Sequence, residues 1–101
     1  MKLYLLTQDK IGGYDTYDAV VVAAAHEPDA RNIHPCFFVT HITGGKWMGT
    51  FSGCSGKAGQ EYESDDENTW PRYADIGCIM VKYLGETTQD RGVILASFNA
   101  G

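Results

Sequence analysis

Basic residues are scarce in this chain. Eight Lys and Arg stand against thirteen Asp and Glu, for a net charge of −5 at neutral pH. The eight are scattered and form no basic stripe. Nonspecific nucleic-acid binding draws on basic side chains that displace counterions, so the composition argues against a nucleic-acid partner. A basic protein surface fits better, and a small anion stays open where a local pocket overrides the global charge. Cysteine is also sparse. Cys36, Cys54 and Cys78 are odd in number, far apart and form no CxxC, which argues against a disulfide framework and reads as reduced thiols in a cytosol. Long apolar runs are missing too. The longest small-apolar stretch, Ala19–Ala25, falls well short of the ~20 residues a membrane-spanning helix needs. Met1-Lys2 is followed by only a few apolar residues before Gln8, Asp9 and Lys10, which is no secretory signal. The expectation is a cytoplasmic protein with no membrane partner.

A length of 101 residues fits one domain, residues 1–101, with an adequate but thin core. Lys2–Thr7 is apolar and predicts a strand covered on both faces. Gln8–Gly13 predicts a turn. Thr16–Ala24, with three consecutive valines, predicts a second strand antiparallel to the first. His26–His34 predicts a short helix. Pro28 suits its first turn, Glu27 and Asp29 complement the positive end of its dipole, and Pro35 closes it. Cys36–Ile42 predicts a third strand. Gly44–Gly59 then holds six of the twelve glycines, and the acidic run Glu61–Glu67 follows. Together they predict an insertion over about 43–70 whose few core residues are Trp47, Met48 and Phe51; long loops of this kind are functional or disordered. Asp75–Leu84 and Gly92–Phe98 predict the last two strands. The expected fold is α+β, in the order β-β-α-β-loop-β-β: a mainly antiparallel sheet with one short helix on one face.

Several chemistries fail on spacing. Phe51–Ala58 (FSGCSGKA) resembles a phosphate loop, but Phe51 stands where the first glycine belongs and Ala58 where the magnesium-binding hydroxyl belongs. What survives is an anion nest of backbone N–H groups around Ser52–Gly59 with Lys57, set against an ordinary surface loop. His34, Cys36, His41 and Cys54 match no common zinc spacing, and on a strand Cys36 and His41 point to opposite faces. No metal or cofactor is expected. No nucleophile–base spacing stands out either, although Cys36 follows Pro35 and is the least implausible nucleophile. Glu61, Glu63, Asp65, Asp66 and Glu67 lack the pattern of a calcium loop and read as a solvated face or as an acidic patch for a basic partner.

Two strings remain. Gly12–Asp18 (GGYDTYD) joins a tight turn to a regular Tyr-Asp-Thr-Tyr-Asp pattern. Its tyrosines offer flat rings for a base or sugar, and its aspartates and threonine offer hydrogen-bond partners. The bland alternative is a hairpin whose tyrosines pack over the sheet edge. Ser97–Gly101 (SFNAG) carries an aromatic and an amide into a terminus that would ordinarily fray. The expected ligand-binding set is Tyr14, Asp15, Thr16, Tyr17, Ser97 and Asn99 in one pocket, with Arg91 or Lys57 neutralising a phosphate. No catalytic residue is assigned.

At these strings the chain resembles a family of small proteins of phages and prophage-bearing bacteria. The matching pieces are Lys2–Gln8, Gly13–Asp18, Asp29–Pro35, Leu84–Glu86 and Arg91–Gly101; the Gly44–Glu67 segment is not covered. The resemblance implies a phage or bacterial setting, with the host cytoplasm as location, and transfers no catalytic residue. It brings phage counter-defence into view. The leading expectation is a non-catalytic protein that captures a small anionic or nucleotide-like signalling molecule stoichiometrically. The alternative is an acidic inhibitor that binds a basic host defence protein. A small hydrolase or transferase using Cys36 or His34 comes third. A thin core and open sheet edges add an expected homo-oligomer.

Overall fold

The computed structural model describes all residues except 14, 37, 52–58, 66–68, 100 and 101, and the backbone alone of Asn99. The chain forms the α+β fold expected of it, mostly antiparallel sheet with little helix. A four-stranded antiparallel sheet contains β1 (Lys2–Thr7), β2 (Thr16–Ala24), β6 (Met80–Glu86) and β7 (Gly92–Asn99), in the order β6-β1-β2-β7. A three-stranded antiparallel sheet is built from β3 (His41–Thr43), β4 (Lys46–Thr50) and β5 (Glu61–Glu63) in chain order. Helix α1 (Glu27–Arg31) follows β2, and a 3-10 helix over Tyr73–Cys78 precedes β6.

Period-two alternation explains the larger sheet. Tyr4 and Leu6 of β1 face the core, and register sets Val22 and Val20 of β2 opposite them. Residues directly opposite in an antiparallel pair share a face, so these four form one apolar surface. Ala30 and Ile33 from the helical segment cover it, with Trp47, Trp70 and Ile79. Each large side chain buried this way contributes roughly 1.5–3 kcal/mol. The expectation that β1 is covered on both faces fails, because Leu3 and Leu5 are only half-buried. Leu5, Val21 and Leu95 instead line an open apolar groove on the outer face.

The β1–β2 loop is held from inside. Gln8 is buried, and its Nε2 donates to the carbonyls of Ile11 (3.0 Å) and Tyr17 (2.8 Å) while its Oε1 accepts the Ile11 N–H (3.0 Å). Thr16 Oγ1 donates to the Gly13 carbonyl at 2.9 Å. Gly13, at φ 92°, supplies the left-handed backbone that the turn needs.

Several boundaries differ from expectation. His26 is the N-cap of α1, its Nδ1 accepting the Asp29 N–H at 3.2 Å. The helix stops at Arg31, where Asn32 and Ile33 N–H groups turn back to Asp29 and Ala30 in tighter bonds. Pro35 therefore lies beyond the helix and does not end it. The described residues between Cys36 and Thr40 are not strand: the Val39 N–H bonds the Cys36 carbonyl at 3.1 Å, which closes a turn, and β3 begins only at His41. The Gly44–Glu67 stretch carries β4 and β5, and the residues before Met80 wind into the 3-10 helix instead of extending. Among the described residues no helix is long and apolar enough to cross a membrane.

Candidate functional site

The segment after α1 runs from Asn32 to His41 against the start of β7, with the β4 residue Trp47 beneath it. Together these enclose a cavity of about 340 Å³ lined by Asn32, Ile33, His34, Pro35, Cys36, Val39, Thr40, His41, Trp47, Arg91, Gly92 and Val93. A second cavity of about 250 Å³ shares His34, Cys36 and Val39 and adds Phe38, Tyr62, Glu63, Ser64 and Thr69.

The His34, His41 and Arg91 side chains in the first cavity are held by neighbouring groups. His34 is buried, its ring edge-on to Trp47 at a centroid distance of 5.1 Å. Its Nδ1 accepts the Cys36 N–H at 3.0 Å, so a neutral ring carries its proton on Nε2. His41 Nε2 meets Glu61 Oε1 at 2.7 Å, and its Nδ1 meets Thr40 Oγ1 at 2.8 Å. Arg91 Nε donates to Asp29 Oδ1 at 2.9 Å, while Asp29 Oδ2 accepts the Ala25 N–H at 3.0 Å. Partial burial pushes the Asp29 carboxyl up. The Ala25 N–H and the Arg91 guanidinium more than reverse this and hold it below its ordinary value. Among the described residues the terminal nitrogens of Arg91 have no partner. They can receive an anion in two parallel hydrogen bonds.

Cys36 is a half-buried free thiol on this wall. Because it lies in a turn, the opposite-face argument separating it from His41 does not apply. Even so, no group of three or more His, Cys, Asp or Glu among the described residues is placed to hold a metal ion. Nor does His34 offer Nδ1 as a base for the thiol, since that nitrogen is engaged by the Cys36 backbone.

The structure separates the residues expected to form one pocket. Register sets Thr16 opposite Asn99, Tyr17 opposite Phe98 and Ala19 opposite Ser97, so the two unusual strings lie side by side. The sheet then divides their side chains. The Tyr17 and Phe98 rings pack together at 4.7 Å, with Tyr17 against the core. Ser97 lines the outer apolar groove with Ala19 and Leu95. Burial, and then the nearby Cys36, push the Tyr17 hydroxyl up from its ordinary pKa. Thr16 is buried and spent on the turn. Asp15 is exposed, in left-handed backbone at φ 63°. Arg91 sits at the other end of β7, on the cleft. Tyr14, Lys57 and the loop around Ser52–Ala58 lie outside the described residues.

The acidic run is partly used internally. Glu61 holds His41, Glu63 meets Lys46 at 3.2 Å, and Asp65 Oδ1 accepts the N–H groups of Tyr73 (2.7 Å) and Trp47 (3.3 Å). Asp66 and Glu67 lie outside the described residues.

Sequence reasoning had weighed His34, Cys36 and His41 together as metal ligands, and Cys36 or His34 as the residue of a small hydrolase or transferase, but it missed Asn32, Thr40 and Trp47 as site residues. The available signal was the density of polar and reactive types between Asn32 and His41, which was read as helix end and strand. With this geometry in hand, the chain is an antiparallel two-sheet α+β protein with a polar cleft beside the first turn of its last strand. No protein-family model, curated protein or solved structure matches it.

Proposed function

We propose that this chain is a non-catalytic binding protein that captures a small anionic, nucleotide-like molecule in the cleft between α1 and β7. The carrying observation is electrostatic. In a chain of net charge −5, one cavity gathers Arg91, His34 and His41, while the carboxylates that hold Arg91 and His41 are not among its lining residues. Asp29 and Glu61 balance the charge of Arg91 and His41, so what the pocket offers an anion is the set of directed N–H donors at the terminal nitrogens of Arg91. Asn32 and Thr40 add neutral hydrogen-bonding groups, and Val39, Val93 and Trp47 add apolar wall. This mixture of apolar walls and a few placed polar groups is that of a small-molecule site, and a cavity of about 340 Å³ falls at the small end of such sites. Arg91 takes the anionic group by two parallel bonds, and the planar part lies against the valines. Capture is favoured over turnover because His34 Nδ1 and both His41 nitrogens already carry hydrogen bonds. In the phage setting that the resemblance implies, the use of such capture is sequestration of a host signalling nucleotide.

Isothermal titration against mononucleotides, cyclic mononucleotides and cyclic dinucleotides, with inorganic phosphate as the minimal probe, tests the reading. One ligand binds at a 1:1 ratio to each cleft, and Arg91→Ala weakens it at least about tenfold, as expected for loss of a charged bidentate contact. Absence of heat with every probe at high protein concentration, or binding untouched by both Arg91→Ala and His41→Ala, overturns it.

A further inference from the structure

The four-stranded sheet has β6 and β7 as its edge strands, to which no further strand pairs among the described residues, and they are built differently. Strand β7 (GVILASFN) has eight residues with no charge and no proline. Among the described residues ten large apolar side chains are exposed, and four belong to β7: Val93 at 39%, Ile94 at 43%, Leu95 at 68% and Phe98 at 44%. Edge strands are ordinarily blunted by charge or proline, because their unpaired N–H and C=O groups template pairing with another chain. Strand β6 follows that rule with Lys82 and Glu86; β7 carries neither charge nor proline, and what interrupts it is a bulge at Ile94, where its register against β2 shifts.

We infer that β7 is a self-association edge, pairing antiparallel with β7 of a second copy so that two four-stranded sheets become one of eight strands. The occupant follows from charge and symmetry. Two copies that each carry a net charge of −5 repel over most of their surfaces, and β7 lets them meet without placing like charges opposite one another. An antiparallel pair of identical strands is also self-complementary about a two-fold axis. Opposed residues point to the same side of a sheet. The axis therefore passes through a residue and not between two, and the greatest overlap puts it at Leu95 or Ala96. Leu95 then meets either its own counterpart or Ser97 of the partner subunit.

Size sets the strength. A strand of eight residues spans about 26 Å. A strip of that length and side-chain width covers roughly 300 Å² per copy, well under the ~800 Å² per partner of a stable complex. The dimer is therefore weak and dissociates on dilution. The inference rests on the strand alone, so a failed ligand titration leaves it standing.

Sedimentation velocity from low micromolar to near-millimolar protein provides the test. The weight-average mass of the unaltered chain rises toward twice the monomer. Leu95→Lys and Ser97→Lys, both at exposed outer-face positions, remain monomeric over the same range with unchanged circular dichroism and melting. Met80→Lys, on the β6 edge, associates like the unaltered chain. A chain that stays monomeric at the highest concentration overturns the inference. So does association that survives both β7 variants, or association lost only with Met80→Lys.

Discussion

The two sheets of this molecule are held together by different physics. In the larger one, Tyr4, Leu6, Val20 and Val22 stack by register into a continuous apolar face, and hydrophobic burial does the work. In the smaller one, strands of three, five and three residues read HIT, KWMGT and EYE. Its register partners mix polar and apolar types, as in Thr43 with Lys46 and Ile42 with Trp47, and polar side-chain pairs span the strands, His41 with Glu61 and Lys46 with Glu63. Half-exposed pairs of that kind contribute at most about 1 kcal/mol each. A sheet so short and polar does not stand alone. What attaches it is Trp47, only 1% exposed in the shared core, whose Nε1 donates to the Pro71 carbonyl at 3.0 Å. The smaller sheet is thus a largely polar wall fastened chiefly by one aromatic residue, with Ile42 packed on the same core, and that wall completes the cleft.

The sharpest way to break this comparison is Trp47→Ala. Removing a fully buried tryptophan costs about 3–5 kcal/mol from the lost transfer energy and the cavity left behind, a large part of the ~5–15 kcal/mol that stabilises an ordinary domain. Urea unfolding should show the whole chain destabilised by that amount. Hydrogen exchange should show β3–β5 losing protection before β1 and β2. A loss below about 1 kcal/mol would mean that the smaller sheet is held by something other than its tryptophan.

The same difference explains what could be read from the sequence. Strands β1, β2 and β7 were legible because alternating or β-branched apolar residues mark them over six or more positions. The cap region of α1 was legible from Glu27, Pro28 and Asp29. Strands β4 and β5 were not, because Trp47 supplies nearly all of their burial and a single residue has no period. The third strand was misplaced because CFFVT has the composition of a strand, yet the Cys36 N–H is taken by His34 and the Val39 N–H by Cys36. These local bonds turn the chain away from a ladder. The misplacement hid the cleft, which that turn builds. The adjacency of the Tyr14–Asp18 and Ser97–Asn99 strings was legible from topology. Which side of the sheet each side chain takes was not, because the register shifts between Tyr17 and Ala19.

A smaller effect separates backbone contact from side-chain burial within the polar wall. Gly49 of β4 pairs with Tyr62 of β5. A methyl group added at Gly49 would lie 2.5 Å from Tyr62 Cζ and 2.6 Å from the Phe38 carbonyl oxygen. The tyrosine ring can swing aside, but the backbone oxygen cannot move without shifting the turn. Gly49→Ala should therefore destabilise by about 1–3 kcal/mol, the usual range for overpacking. Its signature should be confined to Phe38, Tyr62 and the cavity they share, seen as amide chemical-shift changes there and little change across β1 and β2. Changes spread evenly over both sheets would show that the two are more tightly coupled than one tryptophan allows.

The smallest expected effect compares a charged pair from each region. In the larger half Arg91 is tied to Asp29, which also accepts the Ala25 N–H, joining β7 to the start of α1. In the smaller sheet Lys46 meets Glu63 with both side chains about half exposed. The Asp29 carboxyl is held low, below its ordinary value of 3.8. A carboxyl whose folded pKa is depressed favours the folded state while it is ionised. The contribution is fully present above the ordinary value and is lost as pH falls through the folded one. Asp29→Asn should thus cost about 1 kcal/mol at neutral pH, with Arg91 half exposed and solvent screening the pair. The gap from the unaltered chain should begin to narrow below pH ~4 and keep narrowing as pH falls through the folded value. Glu63→Gln should cost only a few tenths of a kcal/mol at neutral pH. Urea midpoints for the three proteins at pH 7 and near pH 3 read the difference directly. A gap for Asp29→Asn that persists unchanged at the lower pH would place its role in shape and not in charge. The anchoring of Arg91 at the cleft would then need another account.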